Sequence, residues 1–177
     1  MRKIVAFILF MFLLCGCSDK VTNPLFITNE DIHTIYPNLF SSDGVPLYYD
    51  QENLKGIPGL QDMNGKLFEE TGEFKDDTFI ILLFTFDTEE NAEEYYLNYS
   101  DNEVFELTNV DRYLYELPDD FFFFYHPEKY LTSVFLFNKF VVMMVFYNEN
   151  PENDFLTYMM ATQFNSMQYQ KLILANK

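Results

Sequence analysis

The chain has 177 residues, 49% of them hydrophobic and 22% charged, and its 28 acidic against 11 basic side chains give a net charge of −17. Phosphate binding requires a basic footprint, so this balance argues against a nucleic-acid partner. Aromatic residues reach 19% as Phe and Tyr without Trp, a bias that an AT-rich genome also produces and that does not by itself mark a ligand site.

At the start of the chain, Arg2 and Lys3 form a positive region and residues 4–14 an unbroken apolar run of 11. A helix crossing the bilayer core needs about 20 apolar residues, so this run has the length of an export signal. It ends in Leu14-Cys15-Gly16-Cys17. This Leu-x-Gly-Cys ending resembles the lipobox of bacterial lipoproteins, although Cys15 stands where Ala, Ser or Thr is commoner. The resemblance implies removal of residues 1–16 and attachment of acyl chains such as palmitate to the sulfur and new amino terminus of Cys17. Two or three chains, at about 0.8 kcal/mol per buried CH₂, make a permanent anchor where one is marginal. Ser18 follows where inner-membrane lipoproteins of Gram-negative cells often carry Asp. By the same resemblance the outer membrane is favoured if the host is Gram-negative.

On that reading Cys15 leaves with the signal and Cys17 is consumed by lipid, so the mature domain holds neither a thiol nor a disulfide. Nine basic residues then face 28 acidic ones, a net charge of −19. Residues 17–24 read as a lipidated tether, and the seven residues 18–24, mostly polar, reach about 23 Å at full extension. Residues 25–177 are expected to form one globular domain, and domains of that size bury roughly 70% of the surface their unfolded chains expose.

Within the domain, Thr28 and Asp31 fit a capping box opening a helix over residues 29–36, with Ile32, Ile35 and Tyr36 as its apolar face and Pro37 as its stop. Residues 41–72 are punctuated by glycine and read as turn-rich. Within them residues 45–49 suit an edge strand, because Pro46 cannot donate to a ladder. Residues 56–64 are the candidate for a long functional loop. Residues 79–86 form a near-continuous apolar run, as expected of a central strand buried on both faces. Asp87 or Thr88 then caps a helix to Tyr99, with Ala92, Tyr95, Tyr96 and Tyr99 on one face and Asp101 and Asn102 closing it. Short strands are expected over 104–107, 112–117 and 121–125. Residues 131–137 and 140–147 flank Asn138-Lys139 as a tight hairpin. Asn150 and Pro151 suit the start of a last helix, whose apolar stripe is Leu156, Met160, Phe164 and Met167, with Lys171 in its last turn.

Short hairpin connections imply antiparallel pairing, and amphipathic helices need a surface to cover. The expected fold is therefore α+β, an antiparallel β-sheet with two or three helices packed mainly on one face as a two-layer sandwich. The Phe run at 121–124 and the apolar run at 141–147 are aggregation-prone if exposed, so both are expected inside the sheet or under a helix.

Candidate chemistry is sparse. His33 and His126 belong to no metal-ligand spacing, and neither a nucleophile elbow nor a thiol accompanies them. Asp76-Asp77, Asp101-Asn102-Glu103 and residues 148–154 are oxygen-rich, as calcium prefers, but none matches the EF-hand pattern. The tyrosines of the middle helix suit core packing better than a ligand groove. Catalytic, metal and cofactor residues are accordingly expected to be none, and lipidation at Cys17 is the one assigned site. The expected function is that of a non-catalytic envelope lipoprotein, a binding or accessory module held to the membrane through Cys17. The alternatives are an acidic immunity-type protein neutralising a basic toxin, whose approach the charge would steer, and an enzyme built on carboxylates.

Overall fold

A computed structural model describes residues 25–37, 39–40, 44–49, 54–69, 78–100, 116–119, 121–126, 130–147 and 154–177. The described elements are α1 (Asn29–His33), β1 (Val45–Tyr48), β2 (Leu60–Glu69), β3 (Thr78–Phe86), α2 (Glu89–Ser100), β4 (Phe121–His126), β5 (Tyr130–Phe137), β6 (Phe140–Tyr147) and α3 (Asp154–Ala175). The strands form one six-stranded sheet in the order β1-β2-β3-β6-β5-β4, and every neighbouring pair is antiparallel. Two meanders, β1-β2-β3 and β4-β5-β6, thus meet along the β3–β6 seam, where Phe79 faces Phe146 and Leu82 faces Met143.

The apolar run of β3 explains the layering. Phe79, Ile81 and Leu83 belong to one core, and Leu82, Phe84 and Phe86 to a second core on the opposite face. Side chains alternate across a strand, so a strand with buried apolar residues on both faces must be covered on both sides. Phe164 of α3 and Ile32 of α1 cover the first face, and Ala92 and Tyr96 of α2 the second. The α+β antiparallel class is as expected, and two of the three helices among the described residues share a face. The third helix adds a layer on the other side.

Four local expectations also hold. The Thr28–Asp31 capping box is formed in both directions. Val45–Tyr48 is an edge strand beside β2. The hairpin pairs Phe137 with Phe140 around Asn138-Lys139, and Asn138 adopts φ 52°, a left-handed conformation Asn tolerates better than most residues. The Phe run lies in β4 at the opposite edge of the described sheet, and helices cover Phe122 and Phe123 from opposite sides. Phe123 packs on Tyr158 of α3, while Phe122 packs on Tyr96 of α2.

Other expectations are corrected. Residues 60–69 are a ten-residue strand rather than part of a turn-rich stretch, so the functional loop expected over 56–64 is reduced to a turn ending before Leu60. Pairing with β3 overrides the local turn bias of Asp62, Asn64 and Gly65. Gly65 is required there by close approach, because a Cβ would come within 2.8 Å of Leu82 Cδ2 and 3.1 Å of the Ile81 carbonyl oxygen. The first helix ends at His33, three residues earlier than expected. Glu116, expected at a strand end, instead has φ 48° in a turn. The last helix runs on to Ala175, which places Lys171 before its final turn. Residues 101–115, 127–129 and 148–153, with their expected strands, loops and caps, lie outside the described residues.

Candidate functional site

The expected tether meets the domain at residues 25–33, and polar side chains buried on α3 hold that segment. Gln168 is fully buried. Its Oε1 accepts from the Ile27 N–H at 3.0 Å and its Nε2 donates to the Leu25 carbonyl oxygen at 2.5 Å. A carboxamide carries an acceptor and a donor side by side, so one side chain satisfies both the N–H of Ile27 and the carbonyl of Leu25. Phe26, Ile27 and Ile32 lie in the first core around this clip.

One turn along α3 a second link is formed. Asp31 Oδ2 accepts from the Thr28 N–H at 2.6 Å and the Thr28 hydroxyl at 2.8 Å, and the Asp31 N–H donates back to Thr28 Oγ1 at 3.2 Å. Lys171 Nζ donates to the same carboxylate oxygen. Burial alone would raise the Asp31 carboxyl, but the hydrogen bonds from Lys171 and Thr28 outweigh it and hold the group below its ordinary value of 3.8. The first residues of the domain are therefore fixed to its last helix by backbone recognition and by an ion pair.

A further polar contact ties α3 to the sheet. Asn165 Nδ2 donates to Ser133 Oγ of β5 and to the Ala161 carbonyl oxygen, each at 2.7 Å, while its buried Oδ1 has no hydrogen-bond partner among the described residues. In β2, Lys66 is buried with its ammonium 5.9 Å from the centroid of Phe68, within range of a cation–π contact. Beyond β1, burial pushes the Tyr49 phenol up to about 12.

On the opposite face of the sheet, Thr88 Oγ1 caps α2 by accepting from the Asn91 N–H at 3.2 Å. Glu89, Glu90, Glu93 and Glu94 are exposed along α2, together with Asp87 just before it. Tyr95 and Tyr96 of this helix face inward. Tyr95 packs against Phe84 and Phe86 with ring centroids 5.2 Å apart in each pair, and Tyr96 lies 5.1 Å from Phe122. They are core, as expected, rather than the lining of a groove.

Cys17, the assigned lipidation site, lies outside the described residues, as do Asp76, Asp77, Asp101, Asn102 and Glu103. His33 is exposed at the end of α1, and His126 is the last residue of β4, so these histidines sit on different elements. Among the described residues, no group of three His, Cys, Asp or Glu side chains is placed to hold a metal ion, and no helix is long and apolar enough to cross a membrane.

Gln168 and Lys171, which hold the junction, are not among the residues that local sequence patterns mark for such a role. A signal was nevertheless present: Gln168 falls midway between Phe164 and Leu172 at helical spacing, on the stripe that turns out to be buried. Asn165 is hidden in the same way, four residues after the buried Ala161.

No family model matches the chain, and no curated protein sequence matches it. Among solved structures, the chain is similar to the extracellular domain of PknH from Mycobacterium tuberculosis, with 11% sequence identity and a TM-score of 0.49. The alignment covers 88% of this chain and 98% of that one.

Proposed function

We propose that this protein is a lipid-anchored component of a bacterial cell envelope, acting as a binding or accessory module rather than as a catalyst. The observation that carries this reading is the order of features over residues 2–17: positive charge, an 11-residue apolar run, Gly16 and then Cys17. An apolar run of that length suits export and processing and is too short to span a bilayer. Acylation of Cys17 leaves the domain on a seven-residue leash, and the clip between Gln168 and residues 25–27 gives that leash a fixed point of departure. A mature charge of −19 favours partners with basic surfaces, whose encounter it accelerates at low salt.

The test is metabolic labelling with radioactive fatty acid in a bacterial host that processes lipoproteins. Label is expected in the parent and absent from Cys17→Ala, which should also leave the membrane fraction or retain its signal sequence. Equal labelling of parent and variant contradicts the proposal. Capture of basic proteins from the envelope, weakened by added salt, tests the partner class.

A further inference from the structure

We infer that the α1/α3 face of the domain rests on the phospholipid leaflet that carries the Cys17 anchor, with α2 turned away from it. This inference depends on the lipid-anchor reading and adds an orientation to it.

Three observations converge on this face. The first is where the tether leaves. Residues 25–27 are clipped to Gln168 on the α1/α3 side of the sheet, and only the seven residues 18–24 separate them from Cys17. Seven residues span at most about 23 Å, so residues 25–27 and the face that holds them stay close to the anchored leaflet.

The second is a partition of charge. In a chain with 28 acidic residues, residues 158–177 contain no Asp or Glu and carry Lys171 and Lys177. Asp31 of α1 is paired with Lys171, and the nearby Glu116 carboxylate accepts from Gln170 at 2.8 Å, leaving Glu30 as an exposed acid on α1. Across the sheet, α2 presents Glu89, Glu90, Glu93 and Glu94. An anionic leaflet repels charges of that sign within about a Debye length, roughly 8 Å at physiological ionic strength. The acidic face is therefore the costly one to lay down.

The third is exposed apolar surface beside the exit. Leu174 is 67% exposed and Ile35 44% exposed. Leu174 lies three residues after Lys171 on α3, and Ile35 lies in the turn that follows α1; Leu97 of α2 is also exposed, at 51%, but it stands one helical turn from the exposed Glu93 and Glu94. Because the anchor makes the contact intramolecular, even a weak surface preference sets the orientation.

The experiment uses the full lipidated protein in vesicles of phosphatidylethanolamine and phosphatidylglycerol containing headgroup-nitroxide lipid. Leu174→Cys, Ile35→Cys and Glu94→Cys each introduce a thiol at an exposed position for a fluorophore. Flotation first reports whether the protein is anchored. In floating protein, emission is expected to be lost at positions 35 and 174 and retained at position 94. Equal quenching at all three, or stronger quenching at 94, overturns the orientation while leaving the anchor intact. Failure to float overturns the anchor and this inference together. Circular dichroism matching the parent confirms that each labelled protein is folded.

Discussion

Lys171 on the last helix donates to the carboxylate of Asp31 on the first, across 140 residues of sequence. The same carboxylate closes the capping box of α1, so one side chain both starts a helix and docks it. Removing it should cost more than an isolated surface pair. Asp31→Ala is expected to destabilise by about 1–2 kcal/mol, combining a lost cap with a partly exposed ion pair. Lys171→Met, which keeps the cap, should cost no more than about 1 kcal/mol. Urea unfolding of the two variants checks the order, and a larger loss for Lys171→Met would contradict it.

The pair also has a pH signature. Asp31 is held below 3.8 in the folded protein, so its contribution is complete above that value and is lost as pH falls through the folded pKa. The stability gap between parent and Asp31→Ala should stay constant from neutral pH down to about pH 5 and narrow in more acidic solution. A gap that widens on acidification would mean that the carboxyl is raised instead.

Gln168 satisfies two backbone groups beside the tether. Gln168→Leu removes the buried acceptor of the Ile27 N–H and the donor to the Leu25 carbonyl, and the buried N–H left unsatisfied costs about 1–3 kcal/mol. The local effect is the sharper diagnostic. Hydrogen exchange at the Ile27 amide should accelerate by more than exchange at Met144, which is buried in β6. Uniform acceleration would show that the clip is not a local device.

The Asn165–Ser133 contact makes a different prediction, because Asn165 Oδ1 is buried without a partner among the described residues. Ser133→Ala and Asn165→Leu each strand a polar group when made alone. Replacing both removes the donor, the acceptor and the orphan together, which is often nearly neutral. The double variant should therefore be more stable than the sum of the singles predicts, by about 1 kcal/mol or more in a double-mutant cycle. Simple additivity would contradict this.

Gly59 should resist replacement. Its φ is 69°, its carbonyl accepts from the Asp87 N–H at 2.9 Å, and a Cβ there would collide with Asn91 and Asp87. Gly59→Ala is expected to lose about 1–3 kcal/mol from the left-handed backbone alone, lowering the melting temperature by several degrees. A Cβ on Gly56 would meet nothing within 4 Å, but its φ of 146° lies outside the left-handed α region, so alanine there is resisted by the backbone alone.

Much of the fold was legible where a single local rule was strong. The β3 run, the Thr28–Asp31 box and the Asn138-Lys139 hairpin each carry their signal within a few residues. β2 was hidden because Asp62, Asn64 and Gly65 favour turns locally, and only the ladder with β3 explains why they are extended. The junction was hidden for a related reason. Gln168 and Lys171 read as ordinary polar residues on a helix until residues 25–31 are brought beside them from the other end of the chain. The placement of helices on both faces was implicit in β3 itself, since a strand whose near-continuous apolar run points to both faces needs two covers.

The lipid anchor underlies both the proposed function and the orientation of the domain, and mass spectrometry of the protein purified from its own membranes tests it without intermediary. The expected amino-terminal peptide begins at Cys17 and carries a diacylglyceryl thioether, with or without a third acyl chain on the amine. A peptide that begins at another residue, or one that retains an unmodified Cys17, would refute the anchor.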